Sequence, residues 1–302
     1  MSGTTTDRTP AESGAGSTAR ATARAVVRPT GVEKFRGRTA VITGAGSGIG
    51  RALALELARV GACLALSDVN LADVEYTASR CRARGADARA YPLDVSDREA
   101  VFRHAEEVVR DFGGVALVIN NAGVAMSGRV ADTSIDDFRW LMDIDFYGVL
   151  HGTQAFLPHL VASGDGHLVN ISSVFGLIAV PKQAPYNAAK FAVRGLTEAL
   201  RLEMASENVP VTVSCVHPGG IRTNIARSAR SAPEHKDELS KTFDKLAFTS
   251  PERAARIILK GAAKGKPRIL VGADAHGMSL LPRVFGGRYQ PLVASFTKRL
   301  NY

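Results

Sequence analysis

The chain has 302 residues, 45% hydrophobic and 22% charged, enough for one large α/β domain with the composition of an ordinary globular protein. No stretch approaches the roughly 18 consecutive apolar residues of a membrane span, and three scattered cysteines (Cys63, Cys81, Cys215) suit neither a disulfide framework nor a zinc site. A reducing, cytoplasmic setting and no metal centre are therefore expected.

The net charge of +9 is peripheral: residues 1–36 carry +3, residues 37–250 carry −2 and residues 251–302 carry +8. Aromatics make up only 6%, and no zinc-finger or RNA-recognition pattern accompanies the basic ends, so nucleic-acid binding is not expected. Residues 1–36 are rich in Ser, Thr, Ala, Gly and Arg and have no apolar run of signal-peptide type. They read as a largely disordered tail.

From Arg38 the text changes. TAVIT (39–43) is short, apolar and β-branched, as a buried parallel strand is. GAGSGIG (44–50) follows, then a helical pattern closed by Gly61. Strand, glycine turn and helix opening together are the setting of a dinucleotide fingerprint. Gly44 allows the tight turn, Gly46 or Gly48 lets backbone N–H groups approach a pyrophosphate, and Gly50 lets the helix sit close to the sheet. The plainer alternative is a structural loop.

CLALSD (63–68) is a second strand ending in Asp68. A carboxylate there accepts hydrogen bonds from the adenosine ribose and repels a 2′-phosphate, which favours NAD over NADP. The competing role for Asp68 is to cap the next helix, predicted over 71–84. A third strand leads into YPLDVSD, where Asp94 is placed to reach an adenine edge and Ser96 reads as a helix N-cap followed by Glu99. VALVIN (115–120) is another buried strand. The small residues Asn121, Ala122 and Gly123 at its end suit a backbone lying against cofactor ribose.

NISSVFGLIAVPKQAPYNAAK (170–190) carries the chemistry. Tyr186 and Lys190 stand four apart on a predicted helix and so share a face. A free phenol titrates near 10, and a neighbouring cation favours its phenolate; reaching about 7 requires roughly 4 kcal/mol of differential stabilisation. Ser173 is placed by a returning chain to orient a carbonyl or carbinol oxygen beside the phenol. Alone, the Tyr–Lys spacing also fits an exposed surface pair. The helix continues with the apolar spacing of a core or subunit-interface element, and VTVSCVHPGGIRT follows as strand and turn. There Pro218 and Gly219 stiffen the backbone, and Thr223 can bond a carboxamide or phosphate.

Residues 224–249 are polar, charged and weakly periodic, which suits a mobile lid or a plain surface excursion. Ser250 and Pro251 then open a helix, and RILVG is a final strand. Val124, Met126, Phe175, Leu177, Ile178 and Val180 are candidate substrate-wall residues, nearly all apolar, so a hydrophobic alcohol or ketone is expected. The extension 276–302 mixes apolar residues with cations. It fits pocket closure, a partner subunit or an anionic membrane, although Pro282, Gly286, Gly287 and Pro291 break it too often for one long interfacial helix.

TGAGSGIG (43–50), Asp68, Asp94-Val95, NNAG (120–123), Ser173, Tyr186-x-x-x-Lys190 and HPGGIRT (217–223) occur in this order, and over roughly 37–275 the chain resembles a short-chain dehydrogenase/reductase. The resemblance implies a single α/β domain with a doubly wound parallel sheet of Rossmann type. It implies Tyr186 as acid/base, Lys190 as its modulator and a ribose ligand, and Ser173 as the substrate-orienting group. Gly44, Gly46, Ser47, Gly48, Ile49, Gly50, Asp68, Asp94, Val95, Asn121, Ala122, Gly123, Tyr186, Lys190, Pro218, Gly219, Ile221 and Thr223 would line the NAD site. A homodimer or tetramer is also implied.

One position departs from the family pattern. The helix after NNAG ordinarily carries an asparagine that helps hold a water linking the lysine to a proton relay; here DIDFYGVL puts Asp145 there. Asp145 still accepts hydrogen bonds, but a carboxylate near Lys190 raises that lysine's pKa and partly cancels its field. The outcomes are a working relay with a shifted pH optimum or a weakened catalyst, and the first is expected because the other catalytic positions are filled. The rival readings are an NAD-binding regulator or scaffold, and a non-redox epimerase or lyase on the same fold.

Overall fold

Continuous apolar runs become strands buried on both faces. Thr39–Thr43 (β1) and Cys63–Asp68 (β2) take the bounds their sequences suggest, and β1 is buried at every residue. A computed structural model of the chain describes residues 1–5, 31–225, 229–230 and 247–299. The remaining strands are β3 (Ala88–Pro92), β4 (Leu117–Asn120), β5 (Gly166–Ile171), β6 (Val211–Pro218) and β7 (Arg268–Val271). They form one parallel sheet in the order β3-β2-β1-β4-β5-β6-β7. The order reverses between β1 and β4, which opens a crevice at the carboxyl edge where ligands collect in doubly wound sheets.

Helices cover both faces. On one side α1 (Gly48–Arg59), α2 (Leu71–Arg82) and α7 (Pro251–Ala263) pack through residues such as Leu53, Leu57, Val74 and Ile258 against Ile42, Leu64 and Ile119. On the other, α3 (Arg98–Phe112), α5 (Gly148–Ala162) and α6 (Ala184–Ser206) bring Val108, Phe156 and Leu200 onto Val41, Val118 and Leu168. A shorter helix, α4 (Ile135–Met142), runs into α5 through the π-helical turn Asp143–Tyr147.

Several local expectations change. The N-cap of α3 is Asp97, not Ser96: Asp97 accepts from the Ala100 N–H, while Ser96 gives both its N–H and its hydroxyl to Asp94. Asn70, not Asp68, caps α2 by accepting from Ala72 and Asp73. Ser250 does cap α7, and Pro251 is its first residue. Of the residues assigned to the tail, 6–30 lie outside the described residues. Val32–Phe35 form a 3-10 turn that buries Phe35 in the core, and Lys34 and Arg38 pair with Asp165.

The C-terminal extension is helical. Ala273–Phe285 (α8) accommodates Pro282 in its last turn, ends at Gly286 (φ +53°), and a 3-10 turn (Gly286–Arg288) leads into α9 (Tyr289–Arg299). The prolines and glycines thus divide the extension into two short helices. Among the described residues no helix is long and apolar enough to cross a membrane.

Candidate active site

The glycine turn 44–50 leaves β1 at the crevice and enters α1. Gly44 and Gly48 have φ of +64° and +50°, values that side chains disfavour. A Cβ on Gly50 would strike the Gly44 carbonyl, and one on Gly46 would lie 2.8 Å from Asp68 Oδ2. This close-packed backbone at a helix N-terminus has the form that suits a pyrophosphate. Thr223 closes it from the far side, with its methyl 3.2 Å from where a Gly48 Cβ would stand.

Asp68 terminates β2 beside the turn and accepts from Gly46 N (2.9 Å) and Asn70 N (3.0 Å). Its carboxylate is half-exposed and keeps unused acceptor positions for a diol. Arg51, one residue past the turn, is held by the Gly46 carbonyl, Thr77 and Asp73. Asp94 is exposed at the end of β3, and Val95 is buried against Gly148. Asn121 turns its amide to the carbonyls of Thr43 and Gly44, so it braces the two loops and can offer a ligand its backbone. Thr43 Oγ1 accepts from both Asn121 N and Ala122 N at 3.0 Å. Ser47 and Gly123 are exposed, and Ile49 is half-buried.

The chemistry-bearing side chains meet at the same edge. Ser173 follows β5, and Tyr186 and Lys190 lie in the first two turns of α6. The Ser173 hydroxyl stands beside the Tyr186 phenol, near enough to favour its phenolate. The Lys190 ammonium is 5.4 Å from the Tyr186 ring centre and donates to the Ile171 carbonyl at 3.4 Å. Gly176 permits this approach: a Cβ there would lie 2.6 Å from the Lys190 carbonyl oxygen. Phe175 stands edge-on to Tyr186, and Val124 and Met126 pack in the same apolar cluster as the phenol ring. Leu177 and Ile178 are themselves buried and serve as core, whereas Val180 stays half-buried.

Asp145 is fully buried, presented by the π-turn between α4 and α5. Its Oδ1 accepts from Val124 N at 2.7 Å, and its Oδ2 lies 3.0 Å from Lys190 Nζ, an ion pair outside hydrogen-bond alignment. Burial pushes the Asp145 carboxyl above its usual range, while Lys190 and the Val124 N–H pull it back. Burial alone would lower Lys190, but Asp145 and then Tyr186 outweigh it, and the ammonium ends above its ordinary value. Burial also pushes Tyr186 up; Lys190 opposes this, Asp145 adds to it, and the Ser173 hydroxyl opposes it, leaving the phenol above its ordinary value. The phenol is therefore not brought toward neutrality by Lys190 alone, because burial is larger and Asp145 cancels part of the cation's field.

Three supporting residues were not among the candidate site residues, and of these only His217 stands in one of the sequence motifs, HPGGIRT. His217, in β6, is buried and hydrogen-bonds through Nδ1 to the Ser173 carbonyl at 2.9 Å; burial lowers its pKa to about 4, so it is neutral and donates. Asp274, at the start of α8, accepts from Gly220 N at 2.6 Å and packs against Gly219, fixing the turn after Pro218. Tyr289, at the start of α9, accepts the Ala179 N–H through its hydroxyl at 3.3 Å. Most of the candidate lid, residues 226–228 and 231–246, lies outside the described residues. Arg230 nevertheless exchanges backbone hydrogen bonds with Ala125 and Ser127, pairs with Asp137 at 3.0 Å and covers the Trp140 ring. Among the described residues no cluster of His, Cys, Asp or Glu suits a metal ion.

The short chain dehydrogenase family profile matches residues 38–234. A protein of Mycobacterium tuberculosis that is named for an oxidoreductase activity, SadH, is 54% identical over 266 residues, covering 87% of this chain and 96% of that one. Epidermal retinol dehydrogenase 2 of Mus musculus is 40% identical over 191 residues, covering 63% and 62%. The NAD-bound crystal structure of a short-chain dehydrogenase/reductase from Burkholderia phymatum superposes with a TM-score of 0.78 at 30% identity, over 83% of this chain and 94% of that one.

Proposed function

Because the chain belongs to the short-chain dehydrogenase/reductase family of oxidoreductases, we propose that it interconverts an apolar secondary alcohol and its ketone with NAD as the preferred cofactor. The observation that carries this reading is the meeting of Ser173, Tyr186 and Lys190 at the crevice edge, beside apolar side chains and the glycine cradle. Bound NAD supplies the hydride acceptor, and NADH the donor.

The chain's own residues divide the remaining work. The backbone of 44–50 receives the pyrophosphate, Asp68 takes the ribose diol, and Lys190 and Tyr186 face the second ribose. Ser173 hydrogen-bonds the reacting oxygen and Tyr186 exchanges its proton. A phenol held above its ordinary value is protonated at neutral pH, so Tyr186 stands ready to donate to a carbonyl oxygen. Alcohol oxidation needs the phenolate and therefore gains rate toward alkaline pH. Lys190 stabilises that phenolate. Asp145 holds the ammonium and offers Oδ2 as an acceptor for the proton path.

The apolar substrate class is supported by Val124, Met126 and Phe175 around the phenol, and by the relative whose name specifies retinol. NAD over NADP rests on Asp68, whose charge repels a 2′-phosphate. The reaction is tested by following NADH and NADPH formation across a panel of apolar secondary alcohols. NADH formation from these, with little from carboxylated analogues and less with NADP, is the expected result. Equal rates with NADP would remove the cofactor assignment.

The Asp145–Lys190 pair favours one second reading, an NAD-binding protein with impaired turnover. Tight NAD binding together with no turnover at any pH, restored by Asp145→Asn, would establish it.

A further inference from the structure

The C-terminal extension leaves an apolar surface uncovered. On α8, Leu280, Val284 and Phe285 are 57%, 61% and 47% exposed; on α9, Leu292 and Phe296, one turn apart, are 54% and 55% exposed. Residues 275–302 contain four Lys/Arg and no Asp or Glu; Arg283 on α8, Arg288 in the 3-10 turn and Lys298 on α9 are exposed. We propose that the α8–α9 pair is a docking surface for an anionic lipid bilayer, on which the two helices lie with their apolar side chains at the headgroup–acyl boundary.

Charge decides between the occupants. A second copy meeting this face symmetrically would set the same cations against one another, and the one acid of the two helices, Asp274, is engaged by the Gly220 N–H. An anionic bilayer neutralises them, each cation strengthening adsorption about fivefold, while the apolar side chains enter the interface. Two short helices separated by Gly286 and Gly287 suit this geometry, because each can lie flat without a continuous long axis.

The docked surface adjoins the site. Tyr289, the first residue of α9, holds the Ala179 N–H at 3.3 Å in the chain between Ser173 and Tyr186. On the proposed reaction the substrate is apolar, and bilayer docking then places the site where such a substrate is dissolved.

Flotation of the full chain with phosphatidylcholine vesicles, with and without phosphatidylglycerol, tests the surface without substrate or turnover. Adsorption to the mixed vesicles, weakened by high salt and absent on phosphatidylcholine alone, is expected. Arg283→Glu/Arg288→Glu/Lys298→Glu lowers the partition coefficient at least about a hundredfold, and Val284→Ser/Phe285→Ser/Phe296→Ser at least about tenfold. Both variants are checked for unchanged circular dichroism and thermal midpoint. Adsorption by the charge variant equal to that of the unmodified chain overturns the proposal. So does an apolar variant that breaks up an oligomer in sedimentation while leaving vesicle binding intact, since the face then belongs to a second copy. Vesicle binding by a chain inactive on every alcohol tested would refute the reaction and leave the docking surface standing.

Discussion

Replacing Asp145 by asparagine separates its electrostatic role from its packing role. The carboxylate Oδ2 is 3.0 Å from the Lys190 ammonium; at an effective dielectric near 20 their attraction is about 5 kcal/mol. Desolvating both groups costs several kcal/mol, so the pair contributes little net stability. An amide keeps an oxygen for the Val124 N–H, and Asp145→Asn should lower stability by about 1–3 kcal/mol. The larger consequence is on titration. Asp145 raises both Tyr186 and Lys190, so its neutralisation lowers both. The alkaline rise of kcat/KM for alcohol oxidation, which follows formation of the Tyr186 phenolate, therefore moves to lower pH. Parallel pH profiles of the two proteins, with thermal midpoints recorded alongside, provide the measurement. A lower midpoint with superimposable profiles would mean that Asp145 only packs, and a shift to higher pH would refute the sign of the argument.

Asp68→Ala removes the negative charge facing a 2′-phosphate and frees the Gly46 N–H that it accepts at 2.9 Å; the NAD/NADP ratio of kcat/KM should fall at least about tenfold. Tyr289→Phe leaves the Ala179 N–H without its hydroxyl acceptor, with a loss of about 1–2 kcal/mol in thermal unfolding and a rise in KM exceeding any fall in kcat. His104 and His217 are held by burial at pKa values of about 4, below an ordinary 6.5. A depressed folded-state pKa contributes stability that is present above the unfolded value and lost as pH falls through the folded one. The thermal midpoint should therefore drop between about pH 6.5 and 4, each histidine accounting for up to about 3 kcal/mol, and His104→Leu should flatten part of that drop.

The elements legible in the sequence were those whose signal is local. β1 and β2 match their apolar runs to the residue, and Ser250 with Pro251 fixes the start of α7. The glycine positions were readable because only glycine fits the φ of Gly44 and the contact of Gly50 with the Gly44 carbonyl. Where two capping residues adjoin, local text cannot choose: Asp94 captures Ser96 and leaves Asp97 to cap α3. Asp274, Tyr289 and His217 reach the site from 54, 110 and 44 residues away in sequence. Nothing in the neighbourhoods of Asp274 and Tyr289 marks them, and the HPGGIRT motif that opens on His217 does not show which carbonyl its ring holds. The proximity of Asp145 to Lys190 was legible only as a departure from a family pattern, and the π-turn that presents it was not. Burial, which sets the direction of the Tyr186 shift, depends on the assembled fold and reversed the sequence-based expectation.

The central claim is that Tyr186 moves the proton while NAD takes the hydride, and Tyr186→Phe tests it most directly. NADH formation from the best alcohol of the panel is measured for both proteins at saturating NAD, with NAD affinity determined separately by fluorescence titration. The account predicts a kcat reduced by about 10²–10⁴ with NAD affinity changed by no more than a few-fold. A variant that keeps its rate and its pH profile would contradict it.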